Sequence, residues 1–241
     1  MRFLLAPFKD FLTLFEAHLQ AGRGAALAAI LLGLAAAWWI YVPLHELLHA
    51  WGCLAAGGQV ERLEIDPLYG AHLLARIFPY VHPGSDYAGR LSDFNSAGSD
   101  WTYAATVAAP LLLGLAGFPL LRLAVPSSTS SRGLAWRRPL LFGAAALLAA
   151  SPLLSLTGDL LELGSLTLYQ FFPGPAQSHR ALISDDLFRL LHEWPAPPGW
   201  RPVAFVTLSQ TLGLAYAWSL VALSHRLAGG SRAFANDSPP C

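Results

Sequence analysis

The stretch Trp38-Trp39-Ile40-Tyr41-Val42-Pro43-Leu44-His45-Glu46-Leu47-Leu48-His49-Ala50-Trp51-Gly52 decides how this chain is read. It carries the pattern H-E-x-x-H inside a run that is otherwise apolar from about Gly24 to Ala56. Residues four apart share one face of a helix. His45 and His49 can therefore present their imidazoles to one Zn2+, with Glu46 beside them as a potential general base. An unused charge at that depth in a membrane would cost about 2.5–3.5 kcal/mol on insertion scales, which makes this cluster a functional candidate.

The surrounding composition is that of a membrane protein. Of 241 residues, 54% are hydrophobic and only 12% charged, with a mean hydropathy of +0.45. A soluble domain carries about 25% charged residues. Acidic and basic residues balance, so nothing points to nucleic acid. Cys53 lies in an apolar segment and Cys241 is the last residue, which argues against a structural disulfide. Lys9, Asp10 and Glu16 interrupt the N-terminal region, so no cleaved signal peptide is expected.

Four stretches have spanning length: about Gly24 to Ala56, Trp101 to Val125, Pro139 to Leu166 and Pro202 to Leu227. Pro43 should bend the first and help aim the histidines. Trp38, Trp39, Trp101, Trp136, Trp200 and Trp218 include interfacial anchors. Residues 3–20 form an amphipathic helix too charged to span, lying in the membrane interface or packed on the bundle. Gln59 to Ile65 alternates polar and apolar and predicts a short strand, continued by Ala71 to Val81 as a hairpin, while 84–100 has the composition of a loop.

The expected fold class is thus an all-α polytopic membrane protein of about four transmembrane helices, with a short β-like hairpin after the first span and an N-terminal interfacial amphipathic helix. The expected segments are that helix (1–23), a core of three spans (24–166), and an extramembrane loop (167–201) with a short amphipathic helix, Asp185 to Trp194. The fourth span (202–229) and a disordered tail (230–241) complete the chain.

Two histidines do not complete a catalytic zinc site, which usually has three protein ligands and a water. Asp159 and Glu162 are the only acids in the later spans, and they lie three apart. Asp159 is the first choice for the third ligand and Glu162 the second. Both could instead cap or end the third helix. With four spans, the first and third run in the same direction, so the later half of each reaches the same side of the membrane. That places His45, His49 and Asp159 at similar depth.

Taken together, these elements resemble the site-2 protease family of intramembrane zinc metalloproteases. His45 to Arg62 looks like that family's motif helix, glycine turn and strand. Pro67-Leu68-Tyr69-Gly70 looks like its Pro-Leu-Gly-Gly-type turn, and Ala108-Ala109-Pro110 is similar to its Ala-Gly-Pro motif, although Leu113 and Gly114 stand where an Asn is expected. Thr157-Gly158-Asp159-Leu160 would correspond to the Leu-Asp-Gly element, with the glycine before the acid instead of after it. The resemblance covers residues 38–165 and leaves no room for a PDZ domain in the 126–138 turn. It implies zinc on His45, His49 and Asp159, with Glu46 as the catalytic base. The implied substrate is a transmembrane protein whose helix is locally unwound, cleaved in or near the lipid bilayer. An accessory regulatory membrane protein would be a further partner. Val60 to Ile65 is the expected site of strand addition by the substrate.

The expected location is multi-pass in a membrane, the bacterial inner membrane being the expected one. The distribution of Arg and Lys places both termini in the cytoplasm, whereas the resemblance implies the reverse orientation. His72, His82, His179 and His192 read as solvated loop histidines, and His18 and His225 need no special role. Asn95 is a weak candidate for oxyanion stabilisation. Two other function classes remain open: a non-catalytic zinc-binding regulator or pseudoprotease that holds helical clients, and a zinc transporter. The intact Glu46 argues against the first, and the shortage of polar residues in spans two and four against the second.

Overall fold

A computed structural model describes residues 2–125, 136–171 and 200–235. The described residues are mostly helical, with one small three-stranded sheet. Four helical stretches are long and apolar enough to cross a membrane: Gly24–Ala55, Asp100–Leu123, Arg137–Thr157 and Val203–Leu227. Large apolar side chains on them, including Leu31, Leu32, Ile40 and Leu208, stay more than half exposed. A water-soluble monomer rarely leaves so much contiguous apolar surface uncovered.

The first helix, α1 (Arg2–Ala55), is continuous through position 23 and through Pro43. Residues 2–23 are therefore helix continuous with the one that carries the first candidate span, and not a separate helix. One of its faces is covered by protein: Phe11, Phe15 and His18 pack their rings on Phe142 at 5.4, 5.9 and 5.1 Å. Phe8 and Leu12 on another face remain exposed. The helix stops where its glycines require it. Gly57 has φ +87°, and the amides of Gly57 and Gly58 return to the carbonyls of Leu54 and Cys53. This is the left-handed C-terminal closure that glycine favours.

The second span is segmented into α3 (Asp100–Ala108), a 3-10 turn at Ala109–Leu111, α4 (Leu112–Leu115) and α5 (Gly117–Leu123). The third is shorter than expected. Helix α6 (Arg137–Leu154) passes into a 3-10 turn at Ser155–Thr157, and Gly158 leaves helical geometry with φ −116° and ψ −106°. A new helix, α7 (Asp159–Phe171), then begins. Helix α8 (Trp200–Leu227) follows, and α9 (Ser231–Ala235) occupies part of the expected tail. The Asp185 to Trp194 helix, His179 and His192 lie outside the described residues.

The chain divides into two compact units. One comprises Met1–Tyr41, Leu112–Pro152 and Ser219–Cys241, the other Val42–Leu111 and Leu153–Trp218. In the first unit α1 and α6 meet backbone to backbone. A Cβ on Gly33 would overlap the Leu140 carbonyl oxygen, and one on Gly143 would overlap that of Ile30. Small residues permit such approach where no hydrophobic effect drives helix association. Here too His225, for which the sequence indicated no role, bonds Asp10 Oδ2 at 2.8 Å and stacks on Phe234.

The second unit holds the sheet, ordered β2-β1-β3. Strand β1 (Gln59–Ile65) is parallel to β2 (Val81–Pro83) and antiparallel to β3 (Gly89–Asn95). A 3-10 turn at Pro67–Tyr69 and helix α2 (Ala71–Leu74) make the crossover that a parallel pair needs. The predicted β1 is present, but its expected hairpin partner is not. The antiparallel partner is β3, which falls inside the stretch expected to be loop. Leu63 and Ile65 are fully buried and pack with Ala50 of α1 and with Ala71 and Val81, pinning the sheet to the end of α1.

Candidate metal centre

All of the predicted site residues belong to the second unit. His45 and His49 project from one face of α1, with ring centroids 4.9 Å apart. Asp159 opens α7, where a carboxylate is favoured by the helix dipole. The glycine placed before Asp159 is the hinge: Gly158 ends the 3-10 turn and lets the new helix start with its first carboxylate turned to the histidines. His45 Nε2 lies 3.3 Å from Asp159 Oδ2, and His49 Nε2 lies 3.4 Å from Asp159 Oδ1.

These three residues fit a metal ion. Their ligand atoms lie within 4.8 Å of one another. In a tetrahedral site with bonds of about 2.0–2.1 Å, neighbouring ligand atoms stand about 3.3 Å apart, close to the two nitrogen–oxygen separations. Donor chemistry agrees. His49 Nδ1 lies 2.8 Å from the carbonyl oxygen of Thr106, which assigns Nδ1 as the N–H donor. In the neutral ring Nε2 then carries a lone pair, and it faces a carboxylate. A proton or a cation between them removes that repulsion.

The Thr106 carbonyl is available for a specific reason. In α3 it would bond the amide four residues on, and that residue is Pro110, which has no N–H. The proline leaves an acceptor free, and His49 fills it. Close helix approach supplies the rest. A Cβ on Gly52, one turn after His49, would overlap the Ala105 carbonyl oxygen and come within 2.7 Å of Ala109 Cβ. Thr102 Oγ1 also donates to the Ala56 carbonyl at 3.0 Å. The α1–α3 contact that orients His49 therefore depends on Gly52.

Glu46 lies close enough to His45, His49 and Asp159 to interact with their charges. Its carboxyl end is overlaid by Gly89, the first residue of β3. A Cβ there would overlap Glu46 Cγ and stand 2.9 Å from Cδ. Glu162, the second choice for third ligand, accepts a hydrogen bond from Tyr103 Oη at 3.1 Å and is not in the metal-capable group. Asn95 is at the opposite end of β3 from Gly89, about 20 Å along a strand. Its Oδ1 accepts from Ala97 N to close the following turn, so the structure gives it no place at the site. His72 and His82 are exposed, as expected, and neither belongs to the metal-capable group.

Sequence reading missed Gly89, the Thr106 carbonyl and Gln210. Gln210 Nε2 on α8 donates to the Leu156 carbonyl at 2.8 Å, immediately before the Gly158 break. Pro110 was the legible signal for Thr106, whereas Gly89 and Gln210 emerge only from tertiary contacts. No family model matches the chain, and no curated protein or solved structure matches it either.

Proposed function

We propose that the protein is an intramembrane zinc metalloprotease that hydrolyses a peptide bond in or near a transmembrane segment of another membrane protein. The observation that carries this reading is the convergence of His45, His49 and Asp159 with Glu46 beside them on apolar helices. Zinc held by that set would supply Lewis acidity for water activation and carbonyl polarisation. Glu46 takes the proton of the attacking water and later delivers it to the leaving amine. A regulator that merely held zinc would have no use for a carboxylate at position 46.

The substrate would have to present an extended backbone, because a helix shields its carbonyls. Strand β1 cannot offer its expected docking edge over Leu63–Ile65, where β2 and β3 pair with it on both sides. Leu63 is also fully buried, and its amide donates to the Tyr80 carbonyl, so proline there would damage the sheet itself. Among the described residues β3 pairs on one side only, and it starts against Glu46. Its free edge is the better site for strand addition: a substrate strand laid along it is delivered to the base.

The test is Glu46→Gln in the full-length chain in detergent, with zinc content measured by mass spectrometry. The assay is cleavage of a synthetic single-span peptide carrying a fluorophore and quencher. Zinc should remain bound and cleavage should fall by at least about 100-fold, the lower range for loss of a general base. Cleavage at the unsubstituted rate overturns the mechanism, and zinc binding without cleavage in either protein favours the non-catalytic regulator.

A further inference from the structure

We infer that Gln210, on the fourth span, is a positioning residue for the metal centre: its amide holds the helix break that aims Asp159. The inference rests on the zinc reading above.

The break needs such a holder. Leaving helical geometry at Gly158 releases carbonyls of the preceding turn from the helical ladder, and in an apolar setting each released group must find a donor. Ser155 O is taken by the Gly158 amide at 3.3 Å, and Leu156 O by Gln210 Nε2 at 2.8 Å. The neighbouring hydroxyls of Thr207, Ser209 and Thr211 bond carbonyls of their own helix, whereas the Gln210 amide reaches across from α8 to this turn. The amide does not sit there for packing. Gln210 Oε1 is buried without a hydrogen-bond partner among the described residues, and an aliphatic side chain of similar length would fill the volume without burying an unpaired oxygen. The donor end is the half in use, and its acceptor lies three residues before the ligand.

The helix that carries Gln210 is locked to the helix that carries Asp159. A Cβ on Gly164 of α7 would overlap the Ser209 carbonyl oxygen, and one on Gly213 of α8 would lie 2.7 Å from the Leu160 carbonyl oxygen. These contacts flank Gln210 in sequence on α8, at Ser209 and Gly213. With α8 fixed against α7, the Gln210 amide sets the angle at which the 3-10 turn enters α7 and hence the direction of the first side chain, Asp159. Thr167 Oγ1 and Tyr216 Oη, 2.9 Å apart, tie the same two helices farther along and supply an internal control.

The experiment uses the full-length protein in detergent, stripped with a chelator, and measures zinc affinity by competition with a chromophoric chelator. Gln210→Met keeps length and removes the donor. It should weaken zinc binding by about tenfold or more, as loss of an outer-sphere partner does. Gln210→Asn, which withdraws the amide by one methylene, should weaken it less. Thr167→Val, which loosens α7 on α8 away from the break, should lower thermal stability with zinc affinity unchanged, separating positioning from general stability. Should Gln210→Met not fold, Gln210→Asn decides on the same criterion. Unaltered affinity in the folded Gln210 variants overturns the inference and leaves the zinc reading intact. Absence of zinc binding by the unsubstituted chain overturns both.

Discussion

Gly89→Ala isolates the contact between the sheet and the base. The methyl group would stand 2.9 Å from Cδ and 3.3 Å from Oε1 of Glu46. Relief cannot come from β3, because Gly89 is paired with Ile65 and the neighbouring Ala88 carbonyl accepts from the Asp66 amide at 3.1 Å. Nor is the backbone an obstacle to alanine, since Gly89 is not among the glycines with positive φ. The Glu46 side chain must therefore move, and restoring an ordinary separation of about 3.6–4 Å shifts its carboxylate by most of an ångström. A displacement near 1 Å costs about 100-fold in rate when a reacting group leaves its productive geometry. The expected result is kcat for the fluorogenic single-span peptide lower by about that factor, with zinc content and affinity unchanged because no ligand is touched. An unchanged kcat in Gly89→Ala, alongside an inactive Glu46→Gln, would refute the claim that β3 determines where the base sits. Loss of zinc in Gly89→Ala would refute the division of labour between base and ligands.

Three further outcomes follow from the same geometry. Asp159→Ala should weaken zinc binding by more than the 10–100-fold typical of an outer-sphere loss. Glu162→Ala should leave affinity unchanged and lower stability by about 1 kcal/mol through the lost Tyr103 hydrogen bond; the reverse ranking, read by chelator competition, would make Glu162 the ligand. His18 provides a pH test away from the site. Burial lowers its pKa below the ordinary value of 6.5, and the Arg138 charge adds to this, opposed by a hydrogen bond to the Ala124 backbone. The unfolded chain then takes up a proton before the folded chain does. Stability contributed by neutral His18 is complete above pH about 6.5 and declines as pH falls below it. Thermal midpoints measured between pH 5 and 8 should show a shallower acid slope in His18→Leu than in the unsubstituted chain.

The parts of this structure written locally could be read from the sequence. The helix-sharing positions of His45 and His49, the Gly57-Gly58 stop and the alternation in β1 each depend on neighbours within one turn or strand. Asp159 was reachable because two helices running in the same direction bring equivalent depths together. What could not be read depends on partners far along the chain. The segment Gly-Arg-Leu-Ser-Asp-Phe-Asn of β3 has the composition of a loop and becomes a strand by pairing with β1. The end of the third span at Gly158 was hidden by apolar residues on both sides, since hydropathy records burial but not the direction of the backbone. Continuity of α1 was missed because charges at Lys9, Asp10 and Glu16 and the weak helix formers Gly22 and Gly24 suggested a boundary, although the helix runs on across position 23.

The missing amide of Pro110 bears on the order of events during biogenesis. His49 receives its backbone acceptor from within the polypeptide, so which ring nitrogen is left open to an ion is decided when α1 meets α3. Ion capture can then come last, with the imidazole already turned and its other proton already committed. A chain with alanine at position 110 would offer Thr106 O an amide of its own, and that carbonyl would then be shared between the helical ladder and the histidine. A residue outside the ligand set in that way helps to decide which ring nitrogen of His49 stays open.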